Sequence, residues 1–244
     1  MKGLFTLFKL EYDGMFLATW VIVGVMAVLQ LVMFGWRLAR VTGNENLAEI
    51  IELSGVHIIF AIGFAGLLGL IGARLAMNYT PSKSMYALLT LPVHRGHIYL
   101  AKLAAALFAC FVFVVSQMVL LVIFSAWHGA LDITRRNADL YLTLLDTSFL
   151  RMIFPPHLFS LVFSLLGVGG SACVALYVAV RLRVGQKRYA VIVAALWLAV
   201  LLVTFPLINN PLLFNIIFML CMIVIPWVAS IRGVKLFESG EVAG

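Results

Sequence analysis

With 244 residues, 64% of them hydrophobic and 11% charged, the chain carries more apolar surface than a water-soluble fold of its size can bury, since soluble domains are about 25% charged. That excludes a water-soluble enzyme or binding domain and makes the bilayer the solvent. The formal charge of +7 invites a nucleic-acid reading, but the placement of the charges argues against one.

In chain order, the first element is the amphipathic start MKGLFTLFKLEYD. Leu4, Phe5, Phe8 and Tyr12 can face lipid while Lys2 and Lys9 reach water or headgroups. No short apolar core with a small-residue cleavage site is present, so residues 1–15 are expected as a helix lying along the membrane. Six runs then reach the ~20 apolar residues needed to cross a bilayer: about 16–36, 56–76, 103–127, 157–180, 189–207 and 212–231. The expected fold is all-α, a single polytopic transmembrane domain over 1–244.

The connections carry structure of their own. The first long loop, 37–55, holds Glu45, Glu49 and Glu52 and is expected to be partly helical. After the second span comes YTPSKSMYALLTLPVHRGHIYLAKL, a short apolar piece among charges. Thr80 is suited to an N-cap and Pro81 to the first helical turn. Met85, Leu88 and Leu89 share one face, with Ser82, Lys83, Tyr86 and Thr90 off it, and Pro92 ends the helix. A helix over 80–92 is too short to span. It is expected across the ends of two spans, where it can fit a groove on a soluble partner or anchor in lipid. The loop 128–156 contains ADLYLTLLDTSFLRMIF, an amphipathic stretch expected as an interfacial or re-entrant helix over 137–153, ended by Pro155-Pro156. A surface cap and a gate fit that helix equally. Asn209 and Asn210, between Pro206 and Pro211, mark a tight hairpin joining the last two spans.

Orientation follows from Lys and Arg. Lys2, Lys9, Arg74, Lys83, Arg95, Lys102, Arg181, Arg183, Lys187, Arg188, Arg232 and Lys235 fall on one side; Arg37, Arg40, Arg135, Arg136 and Arg151 fall on the other. The first side is expected to be cytoplasmic, with both termini there, in the plasma membrane. The basic charge is thus a topology signal rather than a nucleic-acid footprint. Trp36 and Trp127 at the outer ends, and Tyr99, Tyr189 and Trp227 near the inner ends, fit interfacial belts.

Away from their ends the spans contain no Asp, Glu, Lys or Arg, the groups that commonly carry proton or ion coupling. Gln30 and Gln117 are the most polar mid-span residues and read as interhelical glue. Gly63, Gly66, Gly69 and Gly72 recur in the second span, and Gly167 and Gly170 lie among small residues in the fourth; these are expected to pack helices closely. Cys110, Cys173 and Cys221 sit in apolar runs as buried thiols. No metal-ligand set appears. Gly169-Gly170-Ser171 invites a membrane-protease reading, but no His lies deep in another span to act as base.

The segment LLTLPVHRGHIYLAKLAAAL resembles the stretch after the second span in ABC-2 type permeases of ATP-binding cassette transporters. Leu91-Pro92-Val93, His94-Arg95 and Ala101-Lys102 stand at the family's positions, with His94 in place of a small hydroxyl residue. The resemblance implies a membrane subunit of an ABC transporter, paired with a second permease of the same or different sequence. A cytoplasmic ATPase would dock on a coupling helix, with Ser82, Lys83, Met85, Tyr86, Leu88, Leu89, His94 and Arg95 as the contact set. The RLRVGQKR turn could add to it or anchor the membrane face. The chain has no GxxxxGK[ST] loop, so ATP and Mg are expected on the partner and no cofactor in this chain. Alternating access in the exporting direction is expected to move a lipid, amphipathic peptide or hydrophobic drug through a cavity lined mainly by the second and fifth spans. The competing readings are the substrate-binding subunit of an energy-coupling importer, which should show converging polar groups near the outer face, and a non-transporting scaffold.

Overall fold

The computed structural model describes residues 2–40, 46–77, 95–131, 147, 158–207 and 212–238. Among them there are seven α-helices and no strand: α1 Lys2–Leu38, α2 Leu47–Leu53, α3 Val56–Met77, α4 Arg95–Leu131, α5 Leu158–Arg183, α6 Lys187–Leu207 and α7 Leu212–Glu238. Four contain stretches long and apolar enough to cross a membrane: Phe5–Leu38, Val56–Arg74, Gly96–Ala130 and Ser164–Arg183. Many of the large apolar side chains on α1 and α4 are exposed in the isolated chain, as expected of surface that lipid or another subunit covers rather than water.

The amphipathic start is not a separate element. α1 runs unbroken through 37 residues, about 56 Å at 1.5 Å per residue against a ~30 Å hydrocarbon core. No proline interrupts it, and its first turns have packing partners of their own, described below. α4 is equally long and begins before the expected third span. The partly helical loop after the first span is realised as α2. The helix expected over 137–153 and the 206–211 hairpin lie outside the described residues, apart from Thr147, Pro206 and Leu207.

Two turns show how sequence fixes a connection. Gly55, between α2 and α3, has φ +72. Between α5 and α6, Gly185 has φ +79, Gln186 N donates to Arg181 O at 3.0 Å and Gly185 N to Leu182 O at 3.2 Å. That is a Schellman close, which needs the left-handed backbone glycine supplies.

The chain divides into two compact units, one of Met1–Ala18, Leu67–Cys110 and Leu165–Gly244, the other of Thr19–Gly66 and Phe111–Ser164. In the second unit the core is layered. Phe34 stacks on Phe124 at 4.3 Å and lies 5.9 Å from Trp127. Phe113 meets Phe60 at 5.1 Å and Phe64 at 5.9 Å, over Gly63, where an added methyl would come within 3.2 Å of the Phe113 ring. One turn from Phe34 and one turn from Phe113, Gln30 Nε2 donates to Gln117 Oε1 at 3.0 Å, fully buried. This is the interhelical glue the sequence suggested. Gln30→Leu leaves the Gln117 amide unpartnered and is expected to cost about 1 kcal/mol, read as a lower melting temperature in detergent. Gln30→Leu/Gln117→Leu should cost less than the sum of its singles.

In the first unit α6 and α7 pack on each other and α5 joins them through a dense contact. Trp197 Nε1 donates to Ser171 Oγ at 3.0 Å, and Ser171 Oγ donates to Gly167 O at 2.7 Å. Ser171 is therefore an anchor for an indole rather than a nucleophile.

Candidate functional site

The predicted contact set falls almost wholly in the segment between α3 and α4. Ser82, Lys83, Met85, Tyr86, Leu88, Leu89 and His94 lie outside the described residues; Arg95 is the first residue of α4. The site is therefore defined by the elements that enter and leave it, the end of α3 at Met77 and the start of α4.

The first turns of α4 are held on two sides. Ile98, Tyr99, Ala101, Lys102, Ala105, Ala106 and Ala109 are all buried, and the run of alanines lets neighbouring backbones approach closely. Toward α7, Tyr99 is fully buried and fills the space over Gly233, where a methyl would stand 2.5 Å from its ring and hydroxyl. Toward α1, Lys102 Nζ donates to Glu11 Oε1 at 2.6 Å, with the two side chains only 6% and 9% exposed. Glu11 lies between Leu7 and Met15, both buried, at four-residue intervals, so over residues 7–15 the α1 stripe that meets α4 is apolar except for this one carboxylate.

Aromatic rings extend the grip. Phe8 stacks on Tyr12 at 6.0 Å, and Phe108 of α4 meets Phe8 edge-on at 6.1 Å and Tyr12 at 4.9 Å. From α3, the Arg74 guanidinium lies 3.7 Å from where a Cβ on Gly14 would be. The N-terminal turns of α1 and α4 and the C-terminal turn of α3 thus come together.

The basic RLRVGQKR turn divides its charges. Arg181 Nε donates to the Tyr177 hydroxyl at 2.7 Å, its Nη1 donates to Gln186 Oε1, and its guanidinium lies over the Tyr177 and Tyr189 rings. Arg181 thereby braces the α5–α6 turn internally. Arg183, Lys187 and Arg188 are exposed.

The glycines behave differently from one another. A methyl on Gly170 would stand 2.5 Å from the Trp197 ring and 2.9 Å from Pro226; on Gly167, 3.5 Å from Met222; on Gly72, 3.8 Å from Ala179. At Gly66 and Gly69 it would meet nothing within 4 Å among the described residues. Sequence reasoning passed over Gly35, which a Trp127 ring closely covers, and Gly233 beneath Tyr99. It also missed the Glu11–Lys102 pair, whose only sequence signal was a lone acid within an otherwise apolar four-residue stripe.

Among the described residues no group of three His, Cys, Asp or Glu could hold a metal ion, and the three cysteines are free. Among the described residues the geometry is that of a packed junction, in which the first turns of α4 are fixed to α1 and to α7. Comparison with curated proteins and with solved structures gave no match. Residues 9–181 match the family described as ABC-2 family transporter protein, an interval that takes in α2, α3 and α4, the segment before α4 and most of α1 and α5. The chain therefore belongs to the ABC-2 transporter family, as a multi-pass membrane subunit that has no ATPase activity of its own.

Proposed function

We propose that this subunit exports an amphipathic or hydrophobic molecule by alternating access, driven by a cytoplasmic ATPase docked on the helix at 80–92. Met85, Leu88 and Leu89 enter the ATPase groove, with Ser82, Lys83, Tyr86, His94 and Arg95 around them. ATP and Mg act on that partner. α6 and α7 serve as fifth and sixth spans, both termini lie in the cytoplasm, and the chain pairs with a second permease, of the same or different sequence, in the plasma membrane.

The observation that carries this reading is the family match across the segment between α3 and α4, joined to the absence of charged residues in the middle of the spans. A transporter without membrane-embedded ionisable groups lacks the usual means of ion coupling, and a family partner ATPase supplies the energy instead. The exposed faces of α3 and α6 bear Ile58, Ile62, Val191, Ile192, Leu196, Leu198 and Leu202. Such surfaces suit a lipid, amphipathic peptide or hydrophobic drug better than a sugar or an ion. ATP does its work by favouring one of two states of the complex, and the substrate acts through its different affinity for each.

The test is to purify the tagged chain from its native membranes, identify the ATPase that accompanies it and measure ATP hydrolysis in lipid nanodiscs against phospholipids, amphipathic peptides and hydrophobic dyes. Stimulation by one of these classes supports the reading. An accompanying ATPase that responds only to a hydrophilic solute, or the lack of any ATPase, contradicts it.

A further inference from the structure

We infer that Glu11 and Lys102 form a clamp that makes the first turns of α1 and the first turns of α4 one lever, so that displacement arriving at Arg95 moves α1 together with α4. This rests on the reading of the segment before α4 as the place where the ATPase acts.

Burying this pair is costly. Two charges at 6% and 9% exposure have lost most of their hydration, and apolar residues of similar size commonly hold such a site at least as stably. Leu7 and Met15 on α1, and Ile98 and the alanines on α4, already provide an apolar contact. Such a contact is non-directional and tolerates sliding. A 2.6 Å charge-assisted hydrogen bond does not, because both its distance and its direction are restricted. The ion pair therefore adds register to a contact that had adhesion without it.

Its position suits that role. Lys102 is seven residues after Arg95, two turns or about 10 Å along α4, close to where force would enter. Phe108, farther along α4, engages Phe8 and Tyr12 on either side of Glu11. The junction thus has a polar lock and an aromatic bearing, and it resists both translation and rotation of α1 on α4. Glu11 and Lys102 are positioning residues: they touch no substrate and act by fixing one helix on another.

The experiment uses the full chain with its ATPase in nanodiscs, with Cys110, Cys173 and Cys221 changed to alanine. Nitroxide labels are placed pairwise at Leu10, Leu100 and Leu182, which are exposed on α1, α4 and α5. Distances are measured by double electron–electron resonance without nucleotide and after trapping with ATP and vanadate. In the otherwise native chain the 100–182 and 10–182 distances are expected to shift together while 10–100 stays fixed. In Glu11→Leu/Lys102→Met, which keeps an apolar contact, melting is expected to stay near that of the parent, but 100–182 should shift alone and 10–100 should broaden. The exchanged pair Glu11→Lys/Lys102→Glu should restore the joint shift.

A 10–100 distance that changes by about one helical turn, ~5 Å, on trapping in the native pair overturns the clamp. So does an apolar variant in which both helices still move together. A 100–182 shift with 10–182 unchanged in the native pair also overturns it while leaving the ATPase reading intact. If the ATPase traps vanadate and neither distance moves, force does not enter at α4 and the reading beneath the clamp fails with it.

Discussion

Gly170→Val is expected to lower the stability of the detergent-solubilised chain by about 3 kcal/mol, the upper part of the range for overpacking a filled core. The β-carbon alone would stand 2.5 Å from the Trp197 ring and 2.9 Å from Pro226. Neither obstacle yields cheaply. The Pro226 ring is rigid and set within α7, and the Trp197 indole is pinned by its hydrogen bond to Ser171. Displacing the indole would break that bond as well as disturb the packing. Gly66→Val is the control, because nothing lies within 4 Å of its added β-carbon among the described residues. Thermal melting followed by size-exclusion fluorescence should separate the two variants clearly. Equal melting would mean that α5 and α6 are less tightly joined than the geometry says.

Lys102→Met alone is expected to cost about 3–5 kcal/mol, since it strands the Glu11 carboxylate in a buried site without its partner. The same change with Glu11→Leu should recover most of that loss, because no charge is then left unpaired. The coupling between the two substitutions, measured as a double-mutant cycle on melting, is therefore expected to be large and favourable. A single variant as stable as the parent would show that water reaches the pair, contrary to its burial.

Much of the fold was legible because lipid imposes long apolar runs, and those runs can be read directly. The division of the N-terminal 38 residues into an interfacial piece and a span was not. It assumed that a change in hydropathy is a change in backbone, whereas a helix continues wherever its hydrogen bonds do and a neighbour covers its face. Residues 2–15 continue into α1 because α4 offers Lys102 and Phe108 to them. That partner is 91 residues away, a separation that hydrophobic periodicity cannot bridge. In the charge tally Lys102 counted only toward orientation.

The glycine repeat illustrates a second limit. Residues three apart on a helix are rotated by about 60° from eclipsing one another. Gly63, Gly66, Gly69 and Gly72 therefore wind around α3 and cannot all face one neighbour. Gly63 meets Phe113 and Gly72 meets Ala179, while Gly66 and Gly69 look outward. By contrast, Gly185 was readable in principle: a glycine one residue beyond the C-cap, here Val184, is the usual Schellman signal.

We propose that work enters the spans through the segment 80–92 before α4, which the sequence predicts to be a short helix bounded by Pro81 and Pro92. The direct measurement is the amount of ATPase recovered with the tagged chain when Leu88 and Leu89 are both changed to aspartate. On the proposed docking, two carboxylates on the face seated in an apolar groove would have to be desolvated there. The account predicts that the ATPase is lost from the complex, by at least tenfold or about 1.4 kcal/mol of binding, while membrane insertion and the α1–α4 junction stay as they were. Full recovery of an active ATPase with the doubly substituted chain would contradict it.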